Sequence, residues 1–451
     1  MEDLEGEETS LLAEKPMKEV PREPLAGFLF IGFAANLAFN YLLQEVKFFN
    51  DVFGEAFGRR ASFFFAFSNL IGQLLMLFYG SWVPHIIKIP VSCGILALSL
   101  VVIPALTWWA IPFKLNMVLG LVFVMGLMTA VILSSGFTLT SLCSPRVRLF
   151  YTLGTCVAGI TGWVTIRVVE LALVYGFDMS MKRNREDGGP TRAEFIQCGI
   201  VIVSGSACLI AAMIYYIFSL SKSQAVVQAL CAGKKKGGVV DKKTAFWETV
   251  IASMPMALAG ANIMLVTFIV LPDQMTPWRP SFGFWGNSPN LYQESVIFGF
   301  NLFDVIGRLL AIWAIRLNSV QVMAGSFSRW LILPCFFLAS RHMSIFANDI
   351  TKFVLLVVFG GSYGLILTWA FTLAPSQPGI KPENAEIAGA LASFMVTFGI
   401  VLGTLVAAGV PTCLSYLHFA PYEITCTIGD PEMLVCQESV LLNPPSGSPV
   451  T

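Results

Sequence analysis

The chain has 451 residues, of which 56% are hydrophobic and 12% charged, and its mean hydropathy is +0.73. Globular domains carry about 25% charged residues, so this composition excludes a large soluble domain and indicates a protein whose main solvent is the bilayer. The 28 basic and 28 acidic residues balance, which excludes nucleic acid as a main partner because no basic field is available for it.

Apolar runs long enough to cross a bilayer recur along the chain, since about 20 helical residues span the hydrocarbon core. Polar or Pro- and Gly-rich breaks separate them. The predicted spans are 25–43, 61–82, 89–111, 115–139, 149–176, 195–220, 246–271, 291–315, 326–346, 350–374 and 386–413. The sequence therefore predicts an all-α polytopic membrane protein with eleven transmembrane helices.

A basic stretch divides these spans into six and five and indicates their orientation. Residues 221–245 hold six lysines and one acid, whereas the tail 414–451 has no Lys or Arg. Because basic loops are retained in the cytoplasm, we expect a cytoplasmic N-terminal tail and an extracellular C-terminal tail, although the basic loop 177–194 weakens the contrast. The predicted regions are a tail 1–24, a six-helix bundle 25–220, the cytoplasmic loop 221–245, a five-helix bundle 246–413 and the tail 414–451.

The cysteines and histidines predict neither a metal centre nor a cofactor site. None of the ten Cys is in CxxC spacing, and the three His are far apart. An enzyme embedded in the membrane is therefore disfavoured. Cys426 and Cys436 differ, because they lie ten residues apart in the expected extracellular tail. There they can form a disulfide or remain two free thiols.

Two charges in the middle of the eighth predicted span are the main candidate site. In GFNLFDVIGRLLA, Asp304 and Arg308 are four residues apart on one helix face, and Asn301 lies one turn earlier on the same face. Ionisable side chains at this depth tend to pair and to face a cavity. A structural ion pair is one interpretation, and a water-accessible substrate path that contains the pair is favoured over it.

Other polar and small residues inside the spans favour structural roles. Arg167 and Glu170 lie three residues apart in the fifth span and are predicted to pair. The pattern GxxxGxxxA at 399–407 predicts close helix packing. Amides in the first two spans more often bond between helices than to a ligand; they are Asn36, Asn40, Asn69 and Gln73.

Six plus five spans with paired charges in mid-helix indicate a carrier in which two bundles alternate access to a central site. Three segments make this more specific: FNLFDVIGR, SFSRWLILP with its single Arg329, and KPENAEIAGALASF. In this order and spacing they resemble the equilibrative nucleoside transporter family. The resemblance implies a six plus five relative of the major facilitator fold that carries nucleosides, and often nucleobases, down their gradient.

The resemblance also implies roles for individual residues. Asp304 and Arg308 match the acid and base that line the substrate cavity in that family, where such a pair suits the hydroxyls of a ribose.

Two positions depart from the family pattern. Where the family has Trp-Asn on the first span, this chain has Phe39 and Asn40. In the fourth span, TAVILSSGFT has Leu133 at the position that corresponds to a base-reading Gln. Ser134 and Ser135 follow it, and Gln73 on the second span could supply an amide instead.

We therefore expect a monomeric facilitator in the plasma membrane, in contact with lipid and without a cofactor. Its expected substrates are purine nucleosides such as adenosine or inosine, with nucleobases as a further class.

One alternative is a facilitator for another polar solute, an amino acid or a sugar. Against it, SWVPHIIKIP lacks the acid-Arg-Gly-Arg-Arg signature of those carriers. The other alternative is a proton-coupled nucleoside symporter. Uncoupled transport is favoured because Arg308 and Arg167 neutralise the acids in the spans, with Glu45 beside Lys47 as the carboxylate that could titrate.

Overall fold

A computed structural model covers the full chain. It describes residues 22–54, 57–108, 113–177, 191–223, 226–227, 242–271, 275, 278, 289–341, 344–381, 384–416, 423–429 and 433–439. Most of the predicted tail 1–24 and of the basic stretch 221–245 lies outside these ranges, so the predicted region boundaries stay predictions.

Within the described ranges, eleven helical segments are long and apolar enough to cross a membrane, which confirms the predicted fold of eleven transmembrane helices for the membrane-spanning region. A short helix, Val46–Phe53, follows the first span. The spanning helices are Arg22–Gln44, Phe57–Tyr79, His85–Trp108, Lys114–Ser141, Pro145–Leu171, Arg192–Phe218, Lys242–Val270, Pro289–Trp313, Ser319–Ser328 continued by Leu333–Ser340, Asp349–Leu373 and Ala385–Tyr416.

The ninth span differs most from its prediction. It begins at Ser319, seven residues before the predicted start, because Asn318 and Gln321 form a capping box that starts the helix. A turn of 3-10 helix at Arg329–Leu331 interrupts it, just before Pro334. Arg329 therefore lies in the middle of the span Ser319–Ser340 and not at its entrance.

Glycines set the closest approaches within each bundle. A Cβ on Gly154 of the fifth span would lie 2.0 Å from the carbonyl oxygen of Leu29, and one on Gly32 would lie 2.1 Å from that of Tyr151. The first and fifth spans therefore pack backbone to backbone. The predicted packing of 399–407 is confirmed, because a Cβ on Gly399 would lie 2.2 Å from the carbonyl oxygen of Ala261 on the seventh span.

Contacts between the two bundles differ at the two ends of the helices. We call the end where the first span begins the near face and the opposite end the far face. At the near face, buried Arg148 of the fifth span donates to the carbonyl oxygen of Thr372 on the tenth. Phe137 and Phe371 also stack there with ring centroids 3.9 Å apart. At the far face, Trp163 of the fifth span stacks on Phe298 of the eighth at 4.2 Å.

A β-hairpin follows the last span. Its strands β1, Glu423–Gly429, and β2, Met433–Ser439, pair antiparallel with Cys426 directly opposite Cys436. Directly opposed residues have Cα atoms about 4.5–5.5 Å apart, within the range of a disulfide. The cysteine side chains lie outside the description, so the disulfide stays a prediction.

Candidate functional site

The predicted charge pair forms at the centre of the eighth span. Asp304 lies nine residues from each end of the span Ser295–Trp313 and is buried. Arg308 Nε donates to Asp304 Oδ1 at 2.8 Å, and Nη2 donates to Oδ2 at 3.3 Å. Close packing of the tenth span encloses the pair, since a Cβ on Gly364 would lie 2.7 Å from Asp304 Oδ1. A two-point charged contact of this kind is stronger than a neutral hydrogen bond.

Arg308 also joins the two bundles. Its Nη1 donates to the carbonyl oxygen of Thr152 at 2.9 Å and to Thr155 Oγ1 at 3.4 Å, both on the fifth span. The carbonyl oxygen of Thr155 accepts from Asn36 Nδ2 of the first span at 3.1 Å. Asn36 thus makes the predicted interhelical bond. The result is a continuous set of hydrogen bonds from the first span through the fifth to the eighth.

Asn301 contributes to the same junction. A Cβ on Gly159 of the fifth span would lie 3.0 Å from Asn301 Oδ1, so this amide packs against the opposite bundle. The structure therefore brings together the three predicted residues of the eighth span at the interface between the bundles.

A second guanidinium lies beside the pair. Arg329 is 1% exposed and has no carboxylate bonded to it within the described residues. Its Nη1 donates to the carbonyl oxygen of Phe359 at 2.8 Å and to Ser362 Oγ at 2.6 Å, and its Nη2 donates to Thr267 Oγ1 at 3.0 Å. The guanidinium also lies over the Phe359 ring, 4.3 Å from its centroid. These contacts stabilise a buried positive charge in place of a salt bridge.

On the N-terminal bundle, Phe39 and Asn40 occupy different environments. Phe39 stacks on Phe65 of the second span with ring centroids 3.7 Å apart, so one aromatic face is already covered. Asn40 Nδ2 donates to the carbonyl oxygen of Asn36 within its own helix at 2.8 Å. Its amide is therefore held by the first span and makes no bond to another span in the described contacts.

The second and fourth spans carry buried polar atoms without a partner among the described residues. Both amide atoms of Gln73 and the hydroxyl oxygens of Ser134 and Ser135 are in this state. These spans pack closely, since a Cβ on Gly72 would lie 2.6 Å from the Ala130 Cβ. Buried polar groups are normally hydrogen-bonded, so such atoms are candidates to bind a ligand or water. Asn69 Oδ1 and Thr129 Oγ1 share this state, and sequence reasoning did not assign them to the site.

Leu133 is half-buried and packs against the apolar core. Its carbonyl oxygen accepts from the Tyr151 hydroxyl at 3.3 Å. A leucine here thus supplies packing but no side-chain hydrogen bond at the position where the family resemblance implies an amide.

Several buried polar residues were not assigned to the site from the sequence. Thr152 and Thr155 look like ordinary helix residues, and their acceptor role depends on a partner more than 150 positions away. Arg329 had a signal, a single arginine within an apolar run, but the late predicted start of the ninth span put it near the membrane surface.

The sequence is similar to known nucleoside transporters. The sequence model of a family described as nucleoside transporters matches residues 219–409. Adenosine transporter 1 of Crithidia fasciculata is 27% identical over 158 residues, 34% of this chain and 30% of that protein. Equilibrative nucleoside transporter 1 of Mus musculus is 28% identical over 150 residues, 29% of each chain. The matched part of the chain is thus similar to nucleoside transporters. The matched region spans about a third of the length of these relatives.

Solved structures with a similar fold support the two-bundle architecture. The proton:xylose symporter XylE superimposes with a TM-score of 0.56 at 10% identity, covering 88% of this chain and 90% of that one. The transporter FucP in its outward conformation gives a TM-score of 0.52 at 12% identity, covering 88% and 92%. At these identities the likeness concerns the fold, which is the two-bundle fold of the major facilitator superfamily.

Proposed function

We propose that the protein is a facilitative nucleoside transporter that favours purine nucleosides such as adenosine and inosine and works by alternating access. The match of residues 219–409 to the nucleoside transporter family model and the similarity to relatives named adenosine or nucleoside transporters support the substrate class. The family also favours a transporter over an enzyme. The geometry contributes a specific reason for a sugar-bearing solute.

The observation that carries the proposal is the Asp304–Arg308 pair. A carboxylate accepts from ribose hydroxyls, and a guanidinium donates to hydroxyl or ring oxygens. The pair lies in mid-span and at the junction of the bundles, where Arg308 bonds to Thr152. A substrate that exchanges bonds with Arg308 would therefore change the contact between the bundles, as alternating access requires.

The expected orientation gives each face a role. If basic loops are retained in the cytoplasm, the near face is cytoplasmic and the far face extracellular, as for a multi-pass plasma-membrane carrier with an external C-terminus. The bonds from Arg148 to the tenth span then lie at the cytoplasmic end. We infer a monomeric unit, since one chain contains both bundles.

Reconstituted protein provides the test. Proteoliposomes are given radiolabelled adenosine, inosine, uridine, adenine, glucose or leucine at equal pH on both sides. We expect saturable uptake of the nucleosides, led by the purine nucleosides, that stops at equal concentrations and shows counterflow. Saturable uptake of glucose or leucine instead, or no nucleoside uptake, would contradict the proposal. Accumulation above the external concentration under a pH gradient would contradict its uncoupled part.

A further inference from the structure

Glu45 is a buried carboxylate at the far face that the proposed substrate site does not use. It follows the last residue of the first span and precedes the helix Val46–Phe53, but its side chain does not cap that helix. Glu45 is 5% exposed, and its Oε1 accepts no hydrogen bond from any described residue. Burial favours the neutral, protonated form of a carboxyl group.

The surroundings of Glu45 come from the fifth and sixth spans. Gln197 of the sixth span hydrogen-bonds to its carboxyl group. On the helix of Glu45 itself, the side chain of Lys47 lies outside the described part of the structure. The ionisable groups that face it from the packed spans are Arg167, Glu170, Glu194 and Cys198. Two carboxylates and one guanidinium thus surround Glu45, and an ionised Glu45 would add a third negative charge.

Arg167 connects this cluster to the other bundle. It donates to Glu170, as the sequence predicted, and its guanidinium lies over the Trp163 ring, 5.6 Å from the centroid. Trp163 in turn stacks on Phe298 of the eighth span. Arg167, which acts electrostatically on Glu45, therefore links that carboxyl group to the far-face junction between the bundles.

We propose that Glu45 is a proton-binding site that sets the transport rate through the Trp163–Phe298 contact. Neutral Glu45 leaves Arg167 with Glu170 and over Trp163. Ionised Glu45 attracts Arg167 away from both, which loosens the stacking on Phe298. The bound proton controls the rate and does not travel with the substrate. The rate measurement rests on the proposed nucleoside transport, whereas the protonation itself does not.

The burial of Glu45 determines the pH range over which its carboxyl group ionises. Burial, aided by the negative charge of Glu194, raises the pKa of the Glu45 carboxyl group to about 8, against the opposing effect of Arg167. At pH 9 about nine-tenths of such a group is ionised, and at pH 7 about a tenth. Because the folded-state pKa is raised, its contribution to stability is complete below the unfolded pKa of about 4.3 and is lost as pH rises through about 8.

The first experiment measures initial adenosine uptake by proteoliposomes at pH 6.5 and 9.0, with equal pH on both sides. We expect the wild-type rate to fall several-fold, up to about tenfold, at the higher pH. Glu45→Gln should keep its rate at both pH values. The matched control Glu248→Gln removes an exposed carboxylate and should retain the wild-type fall. A wild-type pH dependence in Glu45→Gln would overturn the proposal.

Two further measurements separate the possible failures. If no nucleoside is transported, the proposed function fails, and thermal unfolding in detergent still tests the proton site: Tm should fall between pH 6.5 and 9.0 by more in wild type than in Glu45→Gln. An equal fall overturns the site.

If Glu45→Gln does not fold, Phe298→Leu provides a second test. This variant retains Glu45 but removes the far-face contact, and its uptake should lose the pH dependence. A wild-type dependence there would overturn the route through Phe298.

Discussion

Two walls of the protein differ in how their buried polar groups are hydrogen-bonded. On the eighth and ninth spans, Asp304, Arg308 and Arg329 make seven hydrogen bonds among themselves and to neighbouring spans. On the second and fourth spans, Gln73 and the hydroxyls of Ser134 and Ser135 make none in the described structure.

We propose that the two walls recognise the substrate in two different ways. A bonded charge must exchange a protein partner for the substrate, so its binding is tied to a change in structure. An unpartnered amide or hydroxyl gains a bond without losing one, so it can discriminate between substrates at little structural cost. In this proposal the charged wall carries the conformational response, and the amide and hydroxyl wall sets base selectivity.

The largest effect is expected on the charged wall. In Asp304→Ala or Arg308→Ala, the remaining charge is buried without its partner, at a cost of about 3–5 kcal/mol. That cost reduces the transporting population more than about a hundredfold. Adenosine uptake, normalised to surface protein, measures it, with Glu248→Ala as the exposed control. Normal uptake by both variants would mean that the pair is not the site.

Arg329→Lys tests whether the geometry of the charged wall matters beyond its charge. Lysine retains the positive charge but cannot reproduce a planar fork directed at Phe359, Ser362 and Thr267. We expect an uptake rate about tenfold lower, which corresponds to about 1.4 kcal/mol, and a lower Tm. The same change at exposed Arg316 should be neutral. If Arg329→Lys and Arg316→Lys had the same uptake rate and Tm, the positive charge of Arg329 would matter and its planar geometry would not.

Gln73→Leu tests the amide wall. Removing an unpartnered buried amide should stabilise the folded protein by about 1–3 kcal/mol and raise its Tm, while the KM for nucleosides rises. The matched control is Asn36→Leu, which removes a bonded amide and should lower Tm. If Gln73→Leu destabilises the protein as much as the control does, Gln73 has a structural partner and the contrast between the walls disappears.

The smallest expected effect is on base preference at the fourth span. Leu133→Gln adds an amide, and one new hydrogen bond is worth about 1 kcal/mol, or about fivefold in relative affinity. Competition between inosine and uridine measures the shift in the ranking of purine against pyrimidine nucleosides. Met117→Gln, at an exposed position on the same helix, should leave the ranking unchanged. An unchanged ranking in Leu133→Gln would leave Gln73 as the candidate base reader.

Features that depend on short spacing could be predicted from the sequence. The pairs Asp304–Arg308 and Arg167–Glu170 follow from helical periodicity, because residues three or four apart share a face. The eleven spans follow from the length of apolar runs that a bilayer requires.

Features that depend on distant contacts could not be predicted. The acceptors for Arg308 lie on the fifth span, and no local pattern marks Thr152 as one of them. The depth of Arg329 depends on a capping box that hydropathy does not detect. Whether Gln73 has a partner depends on the packing of several spans, which no single segment encodes.

The backbone packing of the first and fifth spans affects how easily the two bundles can move relative to each other. Because Gly32 and Gly154 pack against each other, we expect the first and fifth spans to move as one unit. Gly307 packs against the carbonyl oxygen of Gly361, so the same is expected of the eighth and tenth spans. Any motion of one bundle relative to the other then takes place between the fifth and eighth spans, where Arg308 bonds to Thr152 and Thr155. At about 1.5–3 kcal/mol per bond to a charged group, their rupture adds only a few kcal/mol to the activation barrier. In the proposed transport cycle, these bonds can therefore break without unpacking a helix within either bundle.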